Sequence, residues 1–172
     1  MNVREARDEY FAANGFSQTA YSDKWVKLTL GPLPLVMWSP PARQRAIPLH
    51  DLHHVATGYA TTWAGEAEIA AWEIAAGCGD YTVAWLYDAV ALAFGIVAHP
   101  RRTYRAFVRG RHSRSLYCNG GWRDELLELD VTELRSELAL DRVHAATWRD
   151  RAAFIVAVPR AVVRAMLSAI SR

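Results

Sequence analysis

Between residues 49 and 78 the chain reads LHDLHHVATGYATTWAGEAEIAAWEIAAGC, with His50, Asp51 and His54 inside five residues and Glu66 twelve positions after His54. On a helix His50 and His54 stand at i and i+4 and project from one face, about one turn apart. Asp51 sits at the edge of that face. Gly58 suits the end of this helix, and Thr61-Thr62-Trp63 suits the start of a second, whose first turn returns Glu66 toward the pair. Two imidazoles and two carboxylates then converge on one divalent ion. Each residue alone has an ordinary explanation, since helix first turns favour carboxylates and single histidines are commonly structural. All four at this spacing, beside an apolar helix, point to a metal. His53 lies about 100° round the helix from His54 and is expected behind the ligands or at the surface.

Three motif classes fit these residues. HDLHH resembles the zincin HExxH with Asp in the Glu position, which makes His50 and His54 ligands and Asp51 the general base of a metallohydrolase, one methylene short. The His50-Asp51 pair also resembles HD-domain phosphohydrolases, but those place a further histidine upstream and residues 1–49 contain none. The third match is more specific. His50-Asp51-x-x-His54, eleven residues and Glu66 reproduce the HDxxH-x11-E signature of the coenzyme Q biosynthesis protein-four family. Gly58-Tyr59, Gly65-Glu66, the segment RGRHSRSLY at 109–117 and WRDELLELDVTELRSELAL at 122–140 resemble that family too, so the likeness spans residues 25–140.

The resemblance implies a helical protein that associates with itself or with a biosynthetic complex at a membrane surface. It implies a metal at His50, Asp51, His54 and Glu66, zinc by family likeness, with iron, manganese or cobalt better suited if oxygen takes part. The implied activity is C1 decarboxylation, in some members coupled to hydroxylation, of a polyprenylated hydroxybenzoate or related aromatic acid, with Asp51 and Glu66 the candidate catalytic carboxylates. The alternatives are a lipid-binding assembly protein with a structural metal, and the metallohydrolase.

Arg101, Arg102, Arg105, Arg109, Arg111 and Arg114 crowd one predicted helix. They read as a solvated basic face or as an anion site, with Arg105, Arg109 and Arg111 the candidates. A net charge of +2 and the absence of a binding motif argue against nucleic acid. Near the end, Phe154, Val158, Val162, Met166 and Ile170 recur every four residues, the pattern of an amphipathic helix for the core, a second copy or a membrane surface.

The elements that must position these groups are mainly helical. Helices are expected at 3–13, 48–57, 64–77, 82–98, 101–117, 122–128, 131–139 and 148–171, with two short strands or a hairpin in 24–38 and Pro40-Pro41 as a stiff connector. Asp130-Val131-Thr132-Glu133 has capping-box spacing. The apolar stretch 82–98 reads as a central core helix that offers a wall for a greasy ligand, and its Asp88 needs a partner, either an arginine or the metal's surroundings. With 172 residues, 52% of them hydrophobic, a compact single-domain helical bundle is expected, with 141–172 as a helical extension. Cys78 and Cys118 form no metal-binding or redox pair. The charged N-terminus has neither signal-peptide nor transit-peptide character, so a cytoplasmic protein, peripheral to the membrane at most, is expected.

Overall fold

The computed structural model describes residues 1–16, 21, 25–30 and 33–170. Its element order is α1 (Val3–Asn14), β1 (Trp25–Leu30), β2 (Leu33–Trp38), α2 (Pro41–Thr57), α3 (Trp63–Ala76), α4 (Thr82–Ala98), α5 (Pro100–Arg111), a 3-10 turn (Asp124–Leu127), α6 (Val131–Glu137), α7 (Trp148–Ile155) and α8 (Ala157–Ile170). The fold is mainly α, with helices packed round one core, and the expected hairpin is present: β1 and β2 pair antiparallel from Trp25↔Trp38 to Leu30↔Leu33. The expected break at Gly31-Pro32 lies outside the described residues.

The centre of the bundle is α3, not α4 as the apolar run suggested. Ala67, Ile69, Ala70, Ala71 and Trp72 of α3 are all buried, and the helix packs against both α4 and α5. Small residues set that distance: a methyl group at Gly110 of α5 would stand 2.3 Å from the Trp72 carbonyl oxygen. α4 buries Trp85, Asp88, Ala89 and Leu92 but leaves Val90, Phe94 and Val97 exposed. It is a wall of the core rather than its axis. No single helix among the described residues is long and apolar enough to cross a membrane.

Three boundaries differ from expectation. α2 begins at Pro41, because Pro40 serves as N-cap and Pro41 as first helical residue, where a missing N–H costs nothing; Pro48 lies inside the helix. α5 stops at Arg111 instead of running to 117. Beyond it the chain turns so that the Arg114 N–H meets the Leu138 carbonyl at 3.0 Å and the Leu116 N–H reaches back toward α2. Residues 148–170 form two helices with a 60° bend between them, and Pro159 falls in the first turn of the second. The bend resets the helical phase: Ala157, Ala161 and Ala165 are buried, Phe154, Val158 and Val162 are half-buried, and Met166 is 60% exposed. α8 lies against α4, and the alanines permit the close approach.

Capping follows local sequence. Asp130 and Glu133 make the expected box at α6, and Thr147 with Asp150 makes another at α7. Asp150 also accepts from Arg111 Nε at 3.2 Å. The Thr147 hydroxyl foremost, with its backbone N–H and Arg111, holds this carboxyl at about 2, below its ordinary 3.8. That lowering means Asp150 contributes stability above the ordinary carboxylate range and loses it as pH falls through about 2. Asp150→Ala is expected to cost about 1–2 kcal/mol, read near neutral pH as a fall in Tm of about 2–8 °C, with the difference from wild type shrinking below pH 3.

Candidate metal centre

α2 carries His50, Asp51, His53 and His54 on successive directions, and α3 carries Glu66 in its first turn. Thr62 starts α3 by accepting the Gly65 N–H at 3.2 Å. Gly58 ends α2 in the left-handed conformation, with φ 76°. The crossing brings three of the expected residues together. His50 Nε2 and His54 Nε2 stand 3.2 Å apart, and the Glu66 carboxylate lies 3.7 Å from the first and 3.6 Å from the second.

Proton placement gives this cluster its chemistry. His54 Nδ1 faces the Tyr59 carbonyl at 2.8 Å, so it must carry the proton and donate. His50 Nδ1 faces both oxygens of Glu73 at 3.1 Å and donates as well. In neutral rings both Nε2 atoms are then lone pairs, aimed at each other beside a carboxylate. Two lone pairs 3.2 Å apart repel unless a cation lies between them. Ligand atoms about 2.0–2.1 Å from a zinc ion at tetrahedral angles stand about 3.4 Å apart, so the donor set fits a divalent ion with little movement. Without a metal, a proton takes that place. Burial disfavours a charged His50, but Glu73 and Glu66 outweigh it and raise its pKa well above the usual imidazole value. Burial likewise raises Glu66, yet the two imidazoles more than offset this and hold it at about 2.

The fourth expected ligand, Asp51, lies outside this group. One residue on from His50, it points round the helix and accepts from the Tyr21 hydroxyl at 2.8 Å. Burial raises its pKa against the lowering effects of His50 and of that hydrogen bond. Three protein ligands would leave open positions on an ion held here, as catalytic sites require.

His53 stands behind the ligands. Its Nε2 accepts the Leu116 N–H at 2.9 Å, which places the proton on Nδ1, from where it is donated to Glu73 at 2.5 Å. This contact holds the segment beyond α5 against α2. Glu73 was not singled out from the sequence, yet it is fully buried and joins His50 to His53. Burial pushes its carboxyl up, but the two histidines pull it well below its ordinary value, and it stays ionised. The available signal was a lone acid in AAWEIAA, seven residues after Glu66 and so on nearly the same helix face. Asp88 of α4 can bring an oxygen within 4.8 Å of ligand atoms of both His50 and Glu73. Burial, then Glu73, raises its pKa well above the carboxylate range, so it keeps its proton, and it accepts from Cys78 Sγ at 3.4 Å. From α1, Tyr10 stacks on His54 with ring centroids 5.6 Å apart and covers the cluster.

The candidate anion-site arginines do not converge. Arg109 donates to the Thr57 carbonyl at 3.0 Å and lies over the Tyr59 ring, which ties α5 to the end of α2. Arg111 pairs with Asp150 and lines a different cavity from Arg105 and Arg109.

No protein-family profile, curated protein or solved structure matches the chain. The reading of this site therefore rests on its geometry and on the motif.

Proposed function

We propose that the chain is a divalent-metal enzyme that decarboxylates, with or without oxidation, an aromatic acid, the activity its HDxxH-x11-E motif implies. The observation that carries the metal reading is the facing pair of Nε2 lone pairs on His50 and His54, each fixed by a committed outer nitrogen and flanked by Glu66. A metal held there supplies positive charge to an anionic substrate oxygen, and zinc, iron, manganese and cobalt all suit the donor set. The chain's own part is orientation and exclusion of water. Glu73 and the Tyr59 carbonyl lock the two rings, Tyr10 shields His54, and Asp88 and Tyr117 close the inner wall beside Glu73.

Protein expressed in metal-supplemented medium is expected to hold near-stoichiometric divalent metal by elemental analysis, and the His50→Ala, His54→Ala double variant to hold almost none. Metal-free wild type would defeat the reading. Asp51→Asn is expected to keep its metal and its decarboxylation of a hydroxybenzoate, because Asp51 lies with Tyr21 and not with the ligands. Metal retained with hydrolytic turnover abolished would instead favour the metallohydrolase.

A specific observation favours a second reading, the lipid-binding assembly protein at a membrane surface. Val90 and Val97 of α4 and Val163, Met166 and Leu167 of α8 are half or more exposed, with Arg160 and Arg164 on the same helix. Tight binding to polyprenyl lipid without turnover of any aromatic acid would decide for it.

A further inference from the structure

Beside the metal ligands lies a cavity of about 180 Å³, reached by His50 and Glu66 on one side and by Arg43 on another. Its walls are apolar side chains such as Ile47, Ala70 and Val83, with Tyr87 and the protonated Asp88. Arg43 is the unexpected member. It is only 9% exposed and donates to Ser39 Oγ at 3.1 Å. No carboxylate among the described residues lies within ion-pair distance of it, whereas the buried Glu73 is paired with His50 and His53 and the buried Arg7 with Asp8. Burial lowers its pKa, with Tyr87 and Asp51 only partly compensating.

A buried guanidinium without a carboxylate is costly, and the usual remedy is a paired anion. Here the remedy can come from the ligand. Arg43 and His50 are seven residues apart on α2, on one face and about 10 Å apart along the axis, so the cavity runs along the helix from the metal cluster to the guanidinium. A cavity of about 150 Å³ suffices for a benzene-sized guest. The space beside Arg43 is therefore large enough for one substituted ring, and any longer chain would run out through the open side of the cavity.

We propose that Arg43 is the specificity-determining residue of this cavity, pairing with the carboxylate of a compact, single-ring acid whose far side faces the metal cluster. The proposal rests on the metal reading for the identity of that far end. It differs from what the motif implies in placing the carboxylate at a residue outside the motif and in seating only the ring, with any tail left outside the cavity. The planar fork of an arginine matches a carboxylate bidentately, which a lysine does not reproduce.

The test uses full-length protein from zinc-supplemented medium and three probes in calorimetric titration: benzoate, its neutral isostere benzamide, and 4-decylbenzoate. Wild type is expected to bind benzoate at least tenfold more tightly than benzamide, and to bind 4-decylbenzoate no better than benzoate. Arg43→Met is expected to lose that preference while keeping its metal content, and Arg43→Lys to keep part of it. Equal binding of benzoate and benzamide by wild type, no benzoate binding at millimolar concentration, or an Arg43→Met protein that still prefers benzoate would overturn the proposal. Tenfold tighter binding of 4-decylbenzoate would overturn the placing of the tail outside the cavity. The His50→Ala, His54→Ala variant separates the two readings. Carboxylate preference that survives there stands without the metal, and loss of preference only on changing Arg43 leaves the metal reading untouched.

Discussion

Glu73→Ala is expected to be among the most damaging single substitutions in the chain. The carboxylate has no exposure and accepts from His50 Nδ1 at 3.1 Å and His53 Nδ1 at 2.5 Å. Removing it strands two buried N–H groups and leaves the histidines without a counter-charge, a change that costs about 3–5 kcal/mol when one member of a buried pair is lost. In a chain of this size that is a fall in Tm of about 6–20 °C. The effect on metal is separate. With Glu73 gone, the His50 ring is free to turn or to change tautomer, and loss of such an outer partner typically lowers metal affinity 10–100-fold. Glu73→Gln retains an oxygen for one imidazole but sets an amide N–H₂ against the other. It should fall between wild type and alanine in thermal melting and in competition with a chelator. Wild-type values for both measurements in the alanine variant would show that something other than Glu73 holds the rings.

How far the sequence reveals this arrangement depends on whether the cause is local. The ends of α3 and α4 are legible because glycines at 77 and 79 and an apolar run mark them directly. The spacing of His50, His54 and Glu66 is legible because i, i+4 geometry and one short loop suffice to bring them together. Asp51 shows the limit of that reasoning. Residues adjacent on a helix diverge by about 100°, and proximity in sequence to two ligands did not give it proximity in space. The end of α5 was not legible, since the contacts just beyond it are distant in the chain: the Arg114 N–H meets the Leu138 carbonyl and the Leu116 N–H meets His53, 63 residues away. The partners of the arginine stripe were hidden for a related reason. Arg102, Arg109 and Arg111 turn to Glu68, the Thr57 carbonyl and Asp150, partners contributed by three different parts of the chain. The C-terminal bend has a marker in Pro159, which suits a kink or the start of a new segment, but the change of helical phase across it could not be read from the four-residue spacing.

Gly65→Ala is expected to disturb the metal centre without altering any ligand. Gly65 lies in the first turn of α3, immediately before Glu66. A methyl group there would stand 1.9 Å from the Ala60 carbonyl oxygen and 2.6 Å from its carbon. Both are backbone atoms, so no side chain can rotate away; either the loop from Gly58 to Thr62 or the start of α3 must move. The loop carries Tyr59, whose carbonyl fixes His54, and the helix start carries Glu66. Whichever yields, a ligand or its support is displaced. Overpacking of this kind costs about 1–3 kcal/mol, against a gain of at most about 1 kcal/mol from replacing glycine in a helix. Chelator competition should therefore show weaker metal binding, together with a lower Tm. Gly58→Ala is the control. Gly58 has φ 76° but nothing within 4 Å of the added methyl, so its cost is left-handed backbone strain of about 1–2 kcal/mol with metal affinity preserved. If the two variants lose stability alike and both keep full metal affinity, the close approach of Gly65 to Ala60 does not position the site.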